Sequence, residues 1–236
     1  MCRSLNDVCV AKPSNNARRR RLDSHRPGPI VSDPRQFWNE KFSAPGYIYG
    51  EAPNDFLRER ATSLQGPILS LGEGEGRNAV FLAKLGLDVT ALDISEVGLA
   101  KTAALAARHG VSVKTVLADL STHVFLPGRW GAVVSIWCHL PAGVRSAVHR
   151  GVAQALVPGG RLVLEAYTPR QLAFHSGGPR SVDMLYEPEA FRSELPGLDV
   201  ELLEERERQV DESELHRGLS AVVRVVARRP LVEVKT

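Results

Sequence analysis

Three glycines at alternate positions, Gly72, Gly74 and Gly76, follow the apolar run Ile68-Leu-Ser-Leu71 and lead into Arg77-Asn78-Ala79. A second apolar run ends in Asp93, and a third is followed by Asp119. Glycines after a strand let the backbone approach a ligand closely, and an acid after the next strand can accept hydrogen bonds from ribose hydroxyls. A carboxylate at the third strand edge can accept from an exocyclic adenine amine. The set reads as a site for an adenosine-containing ligand.

On spacing alone a dinucleotide fits, because Gly74-Glu-Gly76-Arg-Asn-Ala79 matches G-x-G-x-x-[G/A]. The charges argue otherwise. Glu73 and Glu75 sit in the loop that would cradle a pyrophosphate, where they would repel two phosphates at a helix N-terminus. S-adenosylmethionine carries a sulfonium, an ammonium and a carboxylate but no phosphate, so it tolerates these acids. Methyl transfer from it is an in-line displacement that needs a desolvated nucleophile about 3 Å from the methyl carbon.

Groups able to serve that chemistry cluster in two places. Ser135-Ile-Trp137-Cys138-His139-Leu-Pro141 follows the fourth apolar run, at the sheet edge where open α/β sheets bind ligands. His139 can orient or deprotonate a substrate, or cap the following helix. Cys138 reads as buried packing, Trp137 as packing near adenine or as core, and Tyr167 as a site wall or core. His216, Arg217 and Arg224 lie near the C-terminus, and Arg180 sits in a Gly-Gly-Pro-Arg loop. Arg224 alternates with Val223 and Val225, which places it on the other side of a strand; solvent exposure is the alternative to a site role. The seven histidines are dispersed, without a metal-ligand motif, and no metal is expected.

These residues require alternating strands and helices. Strands are expected over 67–71, 88–92, 112–117, 132–136 and 161–167. Helices are expected over 77–85, from the Ser95 N-cap to His109 before Gly110, and from Pro141 to about Leu156, ending at Pro158-Gly159-Gly160. A helix over 188–194 precedes strands at 200–209 and 219–227. Such alternation gives a parallel sheet with right-handed crossovers. Only a polar loop over 210–218 separates the last two strands, so they form an antiparallel hairpin.

Residues 34–66 hold six of the chain's aromatic rings, among them Phe37, Trp38, Phe42 and Tyr49, and form either a packed helix or a cap over the site. Residues 1–33 carry four consecutive arginines and lack apolar periodicity; they read as a disordered basic leader. Residues 1–30 hold seven basic and two acidic residues, a net of +5, so the remaining chain is at −2 and nearly neutral. Nucleic acid is therefore not an expected partner. No apolar run reaches the roughly 18 residues of a membrane span. Three cysteines, two of them in the leader, give no disulfide framework, which fits a cytoplasmic protein.

The ordered set of Gly72–Gly76, Asp93, Asp119, Pro158-Gly159-Gly160 and the closing hairpin resembles the class I S-adenosylmethionine-dependent methyltransferases over residues 35–229. Tyr47-Ile-Tyr49-Gly50 with Pro53-Asn54, Gly76-Arg77-Asn78-Ala79, Cys138-His139-Leu140-Pro141, Glu214-Leu215-His216-Arg217 and Arg224 resemble its tellurite-resistance (TehB-like) and thiopurine-type small-molecule branch. The resemblance implies a Rossmann-like α/β fold with a mostly parallel seven-stranded sheet, order 3-2-1-4-5-7-6, an antiparallel last strand and helices on both faces. The methyltransferase domain is then 67–229, behind a cap segment at 34–66 and before a tail at 230–236.

The implied cofactor contacts are Tyr49, Gly72, Glu73, Gly74, Gly76, Asn78, Asp93, Ile94, Asp119, Leu120 and Ser135. The implied catalytic groups are His139, His216, Arg217 and Arg224, the last three lining a site for an anionic substrate. The acceptor is a thiol or an oxyanion of selenium or tellurium, and the protein is a monomer or homodimer. Many members have an acid at the position of Ser70, a role left here to Glu73 or Glu75. Alternatives are an RNA or protein methyltransferase, a non-catalytic S-adenosylmethionine-binding protein, and an NAD-dependent oxidoreductase. No Asn/Asp-Pro-Pro-aromatic motif of base-methylating enzymes follows the fourth strand.

Overall fold

Ile68–Leu71, Val89–Asp93 and Trp130–Ile136 are buried along their whole length, as expected of parallel strands covered on both faces. They are β1, β2 and β4 of a seven-stranded sheet with order β3-β2-β1-β4-β5-β7-β6, as the resemblance implied. The remaining strands are β3 (Lys114–Leu117), β5 (Leu156–Tyr167), β6 (Asp199–Ser213) and β7 (His216–Arg228). The computed structural model describes residues 33–231. The expected leader and the last residues of the tail lie outside the described residues, apart from Asp33, which caps the first helix by accepting from the Arg35 N–H.

The helices are α1 (Pro34–Phe42), α2 (Asp55–Arg60), α3 (Arg77–Lys84), α4 (Glu96–Arg108), α5 (Ala142–Ala155) and α6 (Phe191–Glu194). Side chains alternate across a strand, so adjacent residues feed opposite layers. Ile68, Ala91, Ala132 and Val134 pack with Phe56 and Leu57 of α2, Leu82 of α3 and Leu99 of α4. Leu69, Leu71, Leu92 and Val133 face the other layer, with Val148 and Val152 of α5 and Phe191 of α6. Ser95 caps α4 by accepting from the Gly98 N–H at 3.0 Å, and Gly110 follows that helix with φ 68°. No helix among the described residues is long and apolar enough to cross a membrane.

Two expectations are corrected. Pro158-Gly159-Gly160 does not separate α5 from β5; the strand starts at Leu156, pairs with Trp130, and is irregular across these residues. The polar loop expected over 210–218 is mostly strand. Asp211 pairs with Arg217 and Ser213 with His216, leaving a two-residue turn at Glu214-Leu215. Polar residues on inward-facing positions hid this extension. β7 is antiparallel to both β5 and β6, so the hairpin carries a strand into the sheet and a strand onto its edge.

Candidate active site

The site is built on the carboxyl ends of β1, β2 and β4, where the strand order reverses. Gly72, Gly74 and Gly76 all have left-handed φ, at 57°, 64° and 97°. At Gly72 a side chain would also meet Cys138 Sγ at 2.8 Å, and at Gly74 the Phe42 ring at 2.9 Å. The loop thus winds between the end of α1 and the turn after β4, and only glycine permits both the winding and the approach.

Gly76, the N-cap of α3, offers no side chain to the helix start. Glu73 supplies the cap instead: its Oε1 accepts from the N–H groups of Asn78 and Ala79 at 3.0 and 2.9 Å. Its other oxygen bonds Ser70 Oγ. Burial pushes the Glu73 carboxyl up, against the lowering effect of these hydrogen bonds. The anion-attracting end of α3 is therefore filled by the chain's own carboxylate.

Asp93 ends β2 and is buried; its oxygens accept from Gly74 N–H and Ser95 N–H, each at 2.8 Å. Burial raises its pKa, opposed by these backbone bonds. Ile94 follows it, half-buried. Asp119 is half-buried and accepts from Ser121 N–H at 2.7 Å, the turn-cap geometry. Leu120 packs against the larger core cluster. Ser135 is buried in β4 opposite Leu71, and its side chain bonds Cys138.

The cap is latched over this edge. Lys101 Nζ of α4 donates to Ala44 O, Gly46 O and Glu75 Oε1 at 2.8, 2.6 and 2.8 Å. Asn39 Oδ1 accepts from Ser95 Oγ at 2.6 Å, and Tyr49 N–H donates to Glu75. Asn78, expected against the cofactor, has its Oδ1 committed to Asn54 N–H at 3.0 Å. Asn78 thereby braces α3 to the cap.

The expected catalytic residues separate. His216 is buried, with its ring 4.8 Å from Tyr49, 5.3 Å from Trp137 and 5.8 Å from Tyr167. Burial, reinforced by the Arg77 charge, lowers its pKa to about 3. Its Nδ1 is buried without a hydrogen-bond partner among the described residues, as is Arg77 Nη1. His139 is instead held by backbone at both ring nitrogens. Nδ1 lies 2.8 Å from Met184 O, and Nε2 accepts from Tyr167 N–H at 3.4 Å. Burial lowers its pKa to about 4.

Arg217 is exposed and pairs with Asp211 on the neighbouring strand. Arg224 is neither exposed nor aimed at His216: its Nε donates to Glu165, and its guanidinium lies 4.7 Å from the Phe56 ring centroid. Both are corrected to structural pairs, because α2 covers the face of β7 that the sequence left open. Arg180 bonds the Phe174 carbonyl and His175 in its own loop. Cys138 is a buried free thiol, pushed up to about 12 chiefly by burial.

Residues not singled out in the sequence complete the site. Glu212 accepts from Asn54 Nδ2, Arg77 Nη2, Trp137 Nε1 and Arg208 Nη2 at 2.7, 2.6, 2.7 and 2.9 Å. Glu165, fully buried in β5, receives Asn54, Arg208 and Arg224. Three buried guanidiniums thus meet two buried carboxylates, and Asp55 and Glu59 approach Arg208 and Arg224 from the rim at 3.7 and 3.8 Å. Arg208, Val210 and Glu212, two apart along β6, share the inward face, but their mixed polarity gave no period-two signal in the sequence. Trp137 has φ 55° and stacks on Tyr167 at 4.3 Å.

A glycine loop after β1, an acid after β2 and a reversed closing hairpin define the class I methyltransferase architecture. Residues 68–160 match the methyltransferase domain family. A curated relative, 2-heptyl-1-hydroxyquinolin-4(1H)-one methyltransferase of Mycobacteroides abscessus, is 25% identical over 129 residues. That match covers 53% of this chain and 56% of the relative, so the chain spans little more than half of its length.

A structure described under conversion of a disulfide bond into a thioacetal group during echinomycin biosynthesis superposes with TM-score 0.68 at 18% identity. It covers 85% of this chain and 94% of its own. TehB from Haemophilus influenzae superposes with TM-score 0.60 at 18% identity, over 83% of this chain and 66% of its own. Residues 68–160 thus carry a methyltransferase domain, on the fold of the class I S-adenosylmethionine-dependent methyltransferases. No group of residues able to hold a metal ion occurs among the described residues.

Proposed function

We propose that this protein transfers the methyl group of S-adenosylmethionine to a small anionic acceptor, a thiolate or an oxyanion of selenium or tellurium, seated against His216 and Arg77. The observation that carries it is the pair of buried nitrogens without a hydrogen-bond partner among the described residues, His216 Nδ1 and Arg77 Nη1, the latter on a guanidinium already fixed by Glu212. A buried polar atom left unpaired costs about 1–3 kcal/mol, so such atoms at a sheet edge call for a ligand. The acceptor lone pair forms the new bond to the methyl carbon as the carbon–sulfonium bond breaks, leaving S-adenosylhomocysteine. An acceptor that is already an anion needs no general base.

The glycine loop takes the amino-acid end of the cofactor, Asp93 the ribose and Asp119 the base. Glu73, pinned to Ser70, replaces the acid that many members carry on the first strand. His139 positions Tyr167 rather than moving a proton. A hydroxylated heteroaromatic acceptor, the substrate type in the Mycobacteroides relative's name, is the second reading, favoured by the flat rings of Tyr49, Trp137 and Tyr167. The reading includes a monomer or homodimer in the cytoplasm, without nucleic acid as a partner.

Calorimetric titration with S-adenosylmethionine, S-adenosylhomocysteine and NAD, followed by turnover with benzenethiol, selenite, tellurite and a 4-hydroxyquinoline, tests this. Binding of the two adenosyl ligands alone, and turnover lost in His216→Ala and Arg77→Gln, is expected. Turnover unaffected in both variants would place the acceptor elsewhere, and no turnover with any probe would favour a non-catalytic binder.

A further inference from the structure

The further inference rests on the acceptor site proposed above and concerns what holds that site in shape. Glu212 lies in β6 where the pairing with β7 slips: Asp211 faces Arg217, Ser213 faces His216, and Glu212 is the extra residue between them. Bulges of this kind recur beside active sites, where they re-aim a side chain. Here the Glu212 side chain is 3% exposed and meets four donors from four parts of the chain. They are Asn54 of the cap, Arg77 at the start of α3, Trp137 after β4 and Arg208 of β6. The cap presses on the same strand, since a side chain at Gly50 would meet the Glu212 carbonyl at 2.5 Å.

We propose that Glu212 is the positioning residue of the acceptor site: by accepting from Arg77 Nη2 and Trp137 Nε1 together, it aims Arg77 Nη1 and the indole face at the place beside His216. Two of its bonds are charge-assisted contacts to guanidiniums, the stronger and more directional kind. A guanidinium is a rigid fork, so fixing Nη2 also fixes the direction of Nη1. Trp137 needs such a tether, because its left-handed backbone is uncommon for a bulky residue. Glu212 touches neither the glycine loop nor Asp93, so its effect falls on the acceptor and not on the cofactor.

Glu212→Gln is the informative variant. It keeps the shape and one accepting oxygen but removes the charge that Arg77 and Arg208 share. In a Trp38→Phe/Trp130→Phe background, where Trp137 is the remaining indole, Glu212→Gln should shift Trp137 emission and raise its quenching by acrylamide. That readout needs no acceptor. With benzenethiol or selenite as acceptor, kcat/KM should fall about tenfold or more, while S-adenosylhomocysteine affinity stays within about twofold. Combining Glu212→Gln with Arg77→Gln should add little to Arg77→Gln alone, since both remove the same aimed group.

Unchanged Trp137 emission and quenching would overturn the proposal whether or not an acceptor is found. Equal loss of cofactor affinity and turnover would also overturn it, leaving Glu212 a general brace. Altered Trp137 signals without turnover of any probe by the parent protein would uphold the positioning role and count against the acceptor reading instead. Glu212→Asp, which restores the charge one methylene shorter, should recover part of the lost kcat/KM; no recovery, with Trp137 signals as in Glu212→Gln, would count against the charge.

Discussion

Replacing Asp93 by Asn separates its two roles. In the folded chain one carboxylate accepts two backbone N–H groups, from Gly74 and Ser95, each at 2.8 Å. An Asn side chain has one accepting oxygen, so its NH2 group must face one of those donors. One buried N–H left unpaired costs about 1–3 kcal/mol. For a domain of this size, each kcal/mol lowers the melting temperature by about 2–4 °C, giving a fall of roughly 2–12 °C. The proposed ribose contact would be a second, separate loss. Hydrogen bonds to a charged acceptor are worth about 1.5–3 kcal/mol, so S-adenosylhomocysteine should bind about 10- to 150-fold more weakly. Differential scanning calorimetry on the free protein and isothermal titration with S-adenosylhomocysteine read the two effects independently. A lower melting temperature with normal affinity would show that Asp93 braces the glycine loop and does not hold the ribose, which would refute the cofactor placement.

Turnover should show no histidine step between about pH 5.5 and 8, because burial holds His139 near 4 and burial with the Arg77 charge holds His216 near 3; a step near 6.5 that disappears in His216→Gln contradicts this. Glu212 is held down to about 2 despite its burial, by Arg77, Trp137 and Arg208. Its folded value lies below the unfolded one, so its stabilisation, about 3 kcal/mol, is present above about pH 4.5 and is lost as pH falls toward 2. Urea titrations across that window should therefore show a shallower loss for Glu212→Gln than for the parent chain. Cys138, pushed up to about 12 by burial, should resist iodoacetamide in the native state and react only on unfolding, as peptide mass spectrometry would show. Arg224→Met should lower stability by about 3–5 kcal/mol in chemical denaturation while leaving S-adenosylhomocysteine affinity intact; loss of affinity with unchanged stability would restore it to the site.

The cofactor half was legible because its signals are local. Ser95 and Gly110 bracket α4, three left-handed turns demand three glycines, and the runs that become β1, β2 and β4 are mostly apolar. The antiparallel hairpin followed from the closeness of the last two strands in sequence, whereas the strand order came from the family resemblance. The acceptor half was poorly legible because it is assembled from distant charges. Alternation of Arg224 with Val223 and Val225 gave the correct face but not its neighbour, since only the fold brings Phe56 and Glu165 against it. Glu212 looked like part of a polar loop because its donors lie at 54, 77, 137 and 208. His139 had the right address, but the backbone of 167 and 184 occupies both its nitrogens.

The place of β7 inside the sheet, with β6 on the rim, bears on how the chain matures. The innermost strand of the hairpin follows the other six in sequence, so the sheet stays open beyond β5 until β7 has emerged. Glu165 gains both of its guanidinium partners, Arg208 and Arg224, from that hairpin. Before docking, it is a carboxylate awaiting burial, and its desolvation becomes tolerable only when both cations arrive. Completion of the fold and completion of the acceptor wall are one event. A nascent chain can close its glycine loop early, yet it acquires Glu212 and His216 only with the hairpin that seals the sheet.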